Sequence, residues 1–488
     1  MAHGRRRPDP VTSLKKALLL SATLALAGCN MAPRYARPAL PVPAETPKGP
    51  AYPATATAGE AAAFADMAWS DFFTEPRLRE IIRLSLANNR DLRLALANVE
   101  QARAQYRVQR ADILPGVGAN GGATYQKTPL GVAAAGAGIG GASGSIRTDI
   151  YSASVGISAW EIDLFGRVRN LTQAAQEQFF AAQENRNAAQ SALVAEVATA
   201  WLTMASDQEL LALARDTEGA FRQTLDLTTA RFKAGVASEL DVRQAHTTHD
   251  QARSDIARLT TQVAQDQNAL NMLVGTTVEA ALLPGALSEK GVTIDRLPGD
   301  LPSTVLLRRA DIASAEHQLL AANANIGAAR AAFFPNISLT ASLGTISLGL
   351  SNLFKSGSET WSAAPTAALP IFDFGKNAGN LRYAKATRDA MVAQYEKTVQ
   401  TAFREVADAL ARRGTIDAQL DAQTSLKDNA LGAYRLSEAR FRTGIDGFLG
   451  TLDSQRSYYT AQQGLVATRL IRETNSVEIY RAVGGGLK

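Results

Sequence analysis

Few side chains in this sequence have the types and spacing that chemistry requires. Its single cysteine, Cys29, follows Leu26-Ala27-Gly28. A thiol behind two small residues suits covalent modification at a processing site, and a lone one excludes an intrachain disulfide or a cysteine-built metal cluster. His246 and His249 lie about one helical turn apart with no third ligand in the pattern, so an exposed helix face explains them better than zinc. "GAGIGG" (136–141) fits the phosphate-cradling G-x-G-x-x-G, but more glycine, serine and a strand-like run follow where a helix should start. That makes it an outer loop. The sequence contains no G-x-S-x-G, no P-loop and no recognisable nucleophile–base pair.

Two other groupings recur or align. "ARFKAG" (230–235) and "ARFRTG" (439–444) place Arg231, Phe232 and Gly235 in the same phrase as Arg440, Phe441 and Gly444, 209 residues later. Glycine there either caps a helix or lets another backbone come close. Just beyond, Leu449, Asp453 and Arg456 fall at i, i+4 and i+7, on one face of a helix. A solvated face with an i,i+3 ion pair is the plain explanation. Asp241, in "LDV", is their first-half counterpart by phrase.

The elements that position these residues come in two copies. "DLRLALANVEQARAQYRVQRADILP" (91–115) aligns with "DIASAEHQLLAANANIGAARAAFFP" (311–335) at an offset of 220. Phe165-Gly166-Arg167 against Phe374-Gly375-Lys376, and Val274-Gly275 against Val483-Gly484, both align at 209. Each copy predicts a helix ending before proline (91–113, 311–333), two strands, a long arm and a return arm. The strands are expected at about 116–126, 151–160, 336–344 and 360–370. Runs such as "YSASVGISAW" and "NISLTASLG" alternate small polar with modestly apolar residues, the weak signature of a transmembrane β-strand. Pro365 belongs at a rim or edge. The long arms, Gly166–Ala234 and Gly375–Thr443, are 69 residues each, about 100 Å as helix. Val194, Val197, Trp201 and Met204, like Val392, Tyr395, Val399, Ala402, Val406 and Ala409, give them a coiled-coil seam.

Residues 1–28 combine a basic start (Arg5, Arg6, Arg7, Lys15, Lys16) with a twelve-residue apolar run (17–28), too short to span a bilayer. With Cys29 this resembles a bacterial lipobox, in which the thiol takes S-diacylglycerol and the new N-terminus an acyl group. Residue 30 is Asn, not the Asp associated with inner-membrane retention, which favours the outer membrane. Removing 1–28 lowers the formal charge from +5 to +1, so no nucleic-acid partner is implied. The chain thus divides into a signal peptide (1–28), a Pro-rich extended tether (29–70), repeat 1 (71–290, with its hairpin at 166–275) and repeat 2 (291–488, hairpin 375–484). Later segments hold no 18-residue apolar run, so spanning requires β-strands. Four strands cannot close a barrel, and open edges in lipid cost several kcal/mol per unpaired group, so several chains must share one.

"LPSTVLLRRADIASAEHQLLAANANIGAARAAFFPNISL" (301–339), "LPIFDFGKNAGN" (369–380), "YEKTVQTAFREVADALARRGT" (395–415) and "RFRTGIDGFLGTLDSQRSYYTAQQ" (440–463) resemble the outer-membrane efflux factors of the TolC/OprM family, OprM-like lipoprotein branch, over 30–488. Ala310 replaces the usual proline of "LRRPDI", Ser454 replaces an alanine, and Gly450 weakens a helix start. The resemblance implies a mixed α and β membrane protein. Its homotrimer would close a twelve-stranded barrel on a periplasmic α-barrel of helical hairpins. It implies no enzyme activity, no metal and no cofactor beyond the covalent lipid. Implied partners are a periplasmic membrane-fusion adaptor touching the six Arg-Phe-x-x-Gly residues, an inner-membrane pump of RND type, and outer-membrane lipids. Leu449, Asp453 and Arg456, with Asp241, match the family's periplasmic gate. Small-molecule efflux, protein secretion and metal-ion efflux all remain compatible, as does a pore-free, lipid-anchored coiled-coil scaffold.

Overall fold

The computed structural model describes residues 30–52, 64, 66–129, 144–294 and 303–487. Cys29, the signal segment and "GAGIGG" lie outside them. Two short helices, α1 (Pro76–Asn88) and α2 (Arg90–Ala111), lead to strands β1 (Val117–Pro129) and β2 (Ser145–Glu161). The first long helix, α3 (Arg167–Lys233), and its return, α4 (Glu239–Val274), follow. The second copy runs α5 (Ala310–Ala331), β3 (Asn336–Ser347), β4 (Glu359–Ala368), α6 (Lys376–Arg442) and α7 (Phe448–Ala482). Both long helices have 67 residues. Each starts after its glycine because Gly166 and Gly375 take φ of +78° and +85°, a left-handed turn that no helix continues through.

The strands form one antiparallel sheet in the order β1-β2-β3-β4. β2 is longer than the spacing predicts and carries a bulge between Ile157 and Trp160, with Ala159 at φ +50°. Register fixes the faces. Ala119, Val155, Leu343 and Trp361 stand opposite one another across the sheet. Up to the bulge in β2, odd-numbered positions therefore form one, more apolar face, and Asn120, Ser154, Ser342 and Ser362 the polar one. Pro365 lies on β4, an edge of this sheet, as its missing N–H demands.

The chain folds into two compact units that do not follow the repeats. The first takes its described residues from the segments up to Arg37, Glu100–Ala181 and Glu316–Ala393, and the second from Pro38–Val99, Ala182–Ala315 and Gln394–Lys488. Each unit draws on both copies, so repeat 1 and repeat 2 are an order along the chain and not separately packed domains.

In the first unit the sheet joins the adjoining helix ends. Residues 30–37 have no regular structure, as their composition predicts, yet they are docked. Asn170 Nδ2 donates to Asn30 Oδ1 (3.0 Å), Asn323 Nδ2 to the Pro33 carbonyl (2.9 Å) and Arg330 Nη1 to that of Met31 (3.1 Å). Tyr35 Oη and Arg37 Nε both reach Glu316 Oε1, at 3.0 and 2.7 Å. A side chain on Gly327 would meet the Ala32 nitrogen at 2.8 Å, so this segment needs glycine beneath it.

The second unit holds the main core. The predicted seam residues Val194, Val197, Trp201, Met204, Tyr395, Val399, Ala402, Val406 and Ala409 are all buried; Val392, in the first unit, is only partly so. Phe72 stacks on Tyr480 with ring centres 4.0 Å apart, and the Tyr480 hydroxyl donates to the Met67 carbonyl at 2.7 Å. Arg309 is buried and held by Asp311 (2.8 Å), Glu405 (2.9 Å) and the Ala482 carbonyl (2.9 Å). The next residue, Ala310, opens α5; proline would suit the same first position, so this departure from the family leaves the helix boundary in place.

Candidate functional site

The two Arg-Phe-x-x-Gly phrases end the two long helices in the same way. Gly235 and Gly444 take φ of +78° and +79°. Gly235 N–H donates to the Phe232 carbonyl and Val236 N–H to that of Arg231, both at 2.9 Å. Gly444 and Ile445 repeat this toward Phe441 and Arg440 at 3.0 and 2.9 Å. Both are Schellman caps, in which a left-handed residue lets the last carbonyls find donors. Nothing stands within 4 Å of a side chain built on either glycine, so the need here is backbone conformation and not crowding.

The side chains of the two phrases differ. Phe441 is buried with Phe448, Leu452, Leu225 and Ala245 in a small cluster, whereas Phe232 is exposed. Arg231 lies over the Phe441 ring, 4.6 Å from its centre. Arg440 instead pairs with Asp446 at 2.5 and 2.9 Å, and this guanidinium holds the Asp446 carboxyl below its ordinary range.

On α7, Leu449 is 62% exposed, and Asp453 and Arg456 are exposed on the same side. The side chains of Asp453 and Arg456 form no ion pair or hydrogen bond with any described residue, so the plain i,i+3 pairing is not what holds this face. Asp241 is placed differently. It is the third residue of α4, whereas Asp453 is the sixth of α7. Its carboxylate accepts from the Ser238 N–H (2.9 Å) and hydroxyl (2.8 Å), closing a capping box with Ser238. The shared "LD" phrase misaligns the two helices; by position Leu240, 64% exposed, matches Leu449, and Gln244 matches Asp453. Counting from the glycines would have found Leu240.

A further carboxyl pair was not singled out from sequence. Asp207 on α3 lies beside Asp266 on α4, and burial, with this neighbouring carboxyl, pushes Asp207 up to about 6. Gln262 Nε2 donates to Asp266 Oδ1 at 3.1 Å, while Oδ2 is buried without a partner. The only signal would have been an acid set in the apolar run "WLTMASDQELL". His249 faces Glu218 at 2.9 Å, and no group of three metal-ligating side chains occurs among the described residues. No helix among them is long and apolar enough to cross a membrane.

A four-stranded sheet with one polar and one apolar face, joined to doubled 67-residue helices, defines a class of membrane channel protein. Residues 81–276 and 301–485 each match the family described as outer membrane efflux protein, and the chain belongs to that family. It is 46% identical over 475 residues to the toluene efflux pump outer membrane protein TtgC of Pseudomonas putida, covering 97% of this chain and 96% of that protein. Its identity and coverage with the antibiotic efflux pump outer membrane protein ArpC of the same species are equal to these. The open state of the Neisseria gonorrhoeae MtrE outer membrane channel superposes with a TM-score of 0.82 at 36% identity, over 94% of this chain and 99% of that one. This is an outer-membrane efflux protein with the TolC/OprM fold, as the sequence motifs imply, and its family is one of transport.

Proposed function

We propose that this chain is the passive exit duct of a tripartite efflux system. One observation carries the reading: β1 and β4 each have a neighbour on only one side. In lipid such edges must find partners, and three copies with four strands each close a ring of the size that spans an outer membrane. Cys29 carries the covalent lipid that anchors the N-terminus. A periplasmic adaptor touches the hairpin ends at Arg231, Phe232, Gly235, Arg440, Phe441 and Gly444. An inner-membrane pump, of RND type, supplies the energy, since the sequence has no P-loop. Leu449, Asp453 and Arg456 form the resting constriction, where a leucine ring blocks by size and an aspartate ring sets a negative field. Asp241, tied into its helix cap, supports that turn from the first half.

The names of TtgC and ArpC assign toluene and antibiotics to two relatives equally similar to this chain. Such a duct takes its substrates from its pump, and small apolar or amphiphilic molecules are the class proposed. Purified protein in planar bilayers is expected to give stepwise ion conductance, and its deletion to sensitise the host to organic solvents and antibiotics. A silent bilayer with correctly folded protein would instead identify a lipid-anchored scaffold.

A further inference from the structure

We propose that the seam between neighbouring copies repeats the β2–β3 seam inside the chain, and so sets which residues of β4 meet which of β1 in the next copy. This rests on the multi-copy barrel proposed above and adds its register.

The internal repeat supplies the rule. The ladder β1–β2 pairs Val117 with Ile157, and β3–β4 pairs Ile337 with Ala367. First strands therefore correspond at an offset of 220 and second strands at 210. Below them Phe165 and Phe374 correspond at 209. The residue that changes the offset is the bulge in β2 at Ala159. Inside the chain, β2 and β3 pair Ile157 with Ala341, Val155 with Leu343 and Ser152 with Ile346. Carried over, these become Ala367 opposite Gly121, Pro365 opposite Ala123 and Ser362 opposite Gln126 of the next copy.

Two independent features agree with this register. Above the bulge in β2, odd positions share one face of the sheet, and the derived pairs keep odd opposite odd. Ignoring the bulge would shift the register by one and put the apolar face of one copy beside the polar face of the next. The backbone agrees as well. Ile346 N–H donates to the Ser358 carbonyl at 2.8 Å, so even positions of β4 are committed to β3 and odd positions turn outward. Pro365 is odd, which removes one rung from the outer ladder at Ala123.

Below the strands, Phe165 stacks on Phe334 with ring centres 4.8 Å apart and planes at 19°. Their counterparts are Phe374 and Leu114, each placed like its match before Gly or Pro. Neither has that contact among the described residues. Phe374 is fully exposed, at φ +52°, and Leu114 is 71% exposed. A bulky residue held exposed in a sparsely populated backbone region is accounted for when its ring seats on Leu114 of the neighbour.

The inner seam also has fastenings that the outer one lacks. Glu161 holds Arg167 at 2.5 Å and accepts from Asn336 at 3.1 Å, whereas the corresponding residues are Pro370, Lys376 and Gly116. Gly156 and Gly344 admit a backbone approach that a Cβ would block at 2.3 and 2.2 Å; Thr366 and Thr124 take their places. The outer seam is thus the looser of the two, and copies separate there before the sheet opens.

The test uses full-length lipidated protein in detergent. Ser362→Cys with Gln126→Cys faces the polar side, where mild oxidation is expected to give covalent dimers and trimers on denaturing gels. Each single variant supplies the background, including any from unlipidated Cys29. Thr360→Cys or Ala364→Cys combined with Gln126→Cys should cross-link far less; if either exceeds the predicted pair, the register is overturned. Light scattering separates the two levels, because single copies in solution would overturn the multi-copy barrel itself. Phe374→Ala should lower the temperature at which the copies separate, and Leu114→Phe, which rebuilds the inner aromatic pair, should raise it. No change in either variant, with the predicted pair still cross-linking, would overturn the Phe374–Leu114 contact.

Discussion

Arg231 donates from Nη1 to the main-chain carbonyl of Phe441 at 3.0 Å while its guanidinium lies over the ring of the same residue. One side chain thus ties the end of the first long helix to the end of the second. A charged hydrogen bond and a cation–π contact at a half-buried site together contribute about 1–3 kcal/mol to local closure. Arg231→Ala is expected to raise amide exchange in residues 225–245 and 437–452 without lowering global stability. Unchanged exchange there would show that the Phe441 cluster holds the ends without it.

Gly235 and Gly275 share a φ of +78° but not a setting. Around Gly235 the space is open, whereas a side chain on Gly275 would meet the Asn88 carbonyl oxygen at 2.5 Å. Gly235→Asn, a residue that tolerates the left-handed region, should cost well under ~1 kcal/mol. Gly275→Asn must displace the junction between α1 and α2 and should yield little assembled protein. Adaptor binding lost in Gly235→Asn at normal assembly would locate docking at the turn itself; binding retained at full strength would leave the glycine as a cap.

The sequence made the helices and strands legible because they are long, periodic and present twice; the core seam from Val194 to Met204 is buried as its spacing predicts. What it hid follows from the same repetition. Two copies of Arg-Phe-x-x-Gly look alike, yet Phe441 is buried and Phe232 exposed, because Leu225, Phe448 and Leu452 gather around only one of them. A shared "LD" suggested equivalence for Asp241 and Asp453, although helix starts, not phrases, set position on a face. Interleaving of the two copies into both compact units is likewise invisible in a linear alignment, since it depends on which helix segments share a layer.

Asp207 predicts an unusual pH dependence. Burial and Asp266 raise its carboxyl to about 6, against roughly 3.9 in an unfolded chain. Between those values the folded state holds the proton more tightly, so this site's contribution to stability falls as pH rises through the window and stays low above it. Asp207→Asn should therefore melt higher than the parent at pH 7.5, with the difference shrinking toward pH 4. An equal difference at both pH values would remove titration of this pair as the cause.

Leu449 and Asp453 offer the sharpest separation of size from charge in the proposed constriction. Both are exposed on one face of α7, and no described residue occupies their outer side. If Leu449 blocks by bulk, Leu449→Ala should admit a large antibiotic into the periplasm and raise single-channel conductance at all salt concentrations. If Asp453 acts through its field, Asp453→Asn should alter cation selectivity most at low ionic strength, where the Debye length is about 30 Å at 0.01 M, and little at 1 M. Leu240, the positional match of Leu449 in the first half, supplies the control: Leu240→Ala should widen the opening only if both hairpins line it. Conductance and selectivity unchanged in all three variants would place the constriction elsewhere in the tunnel.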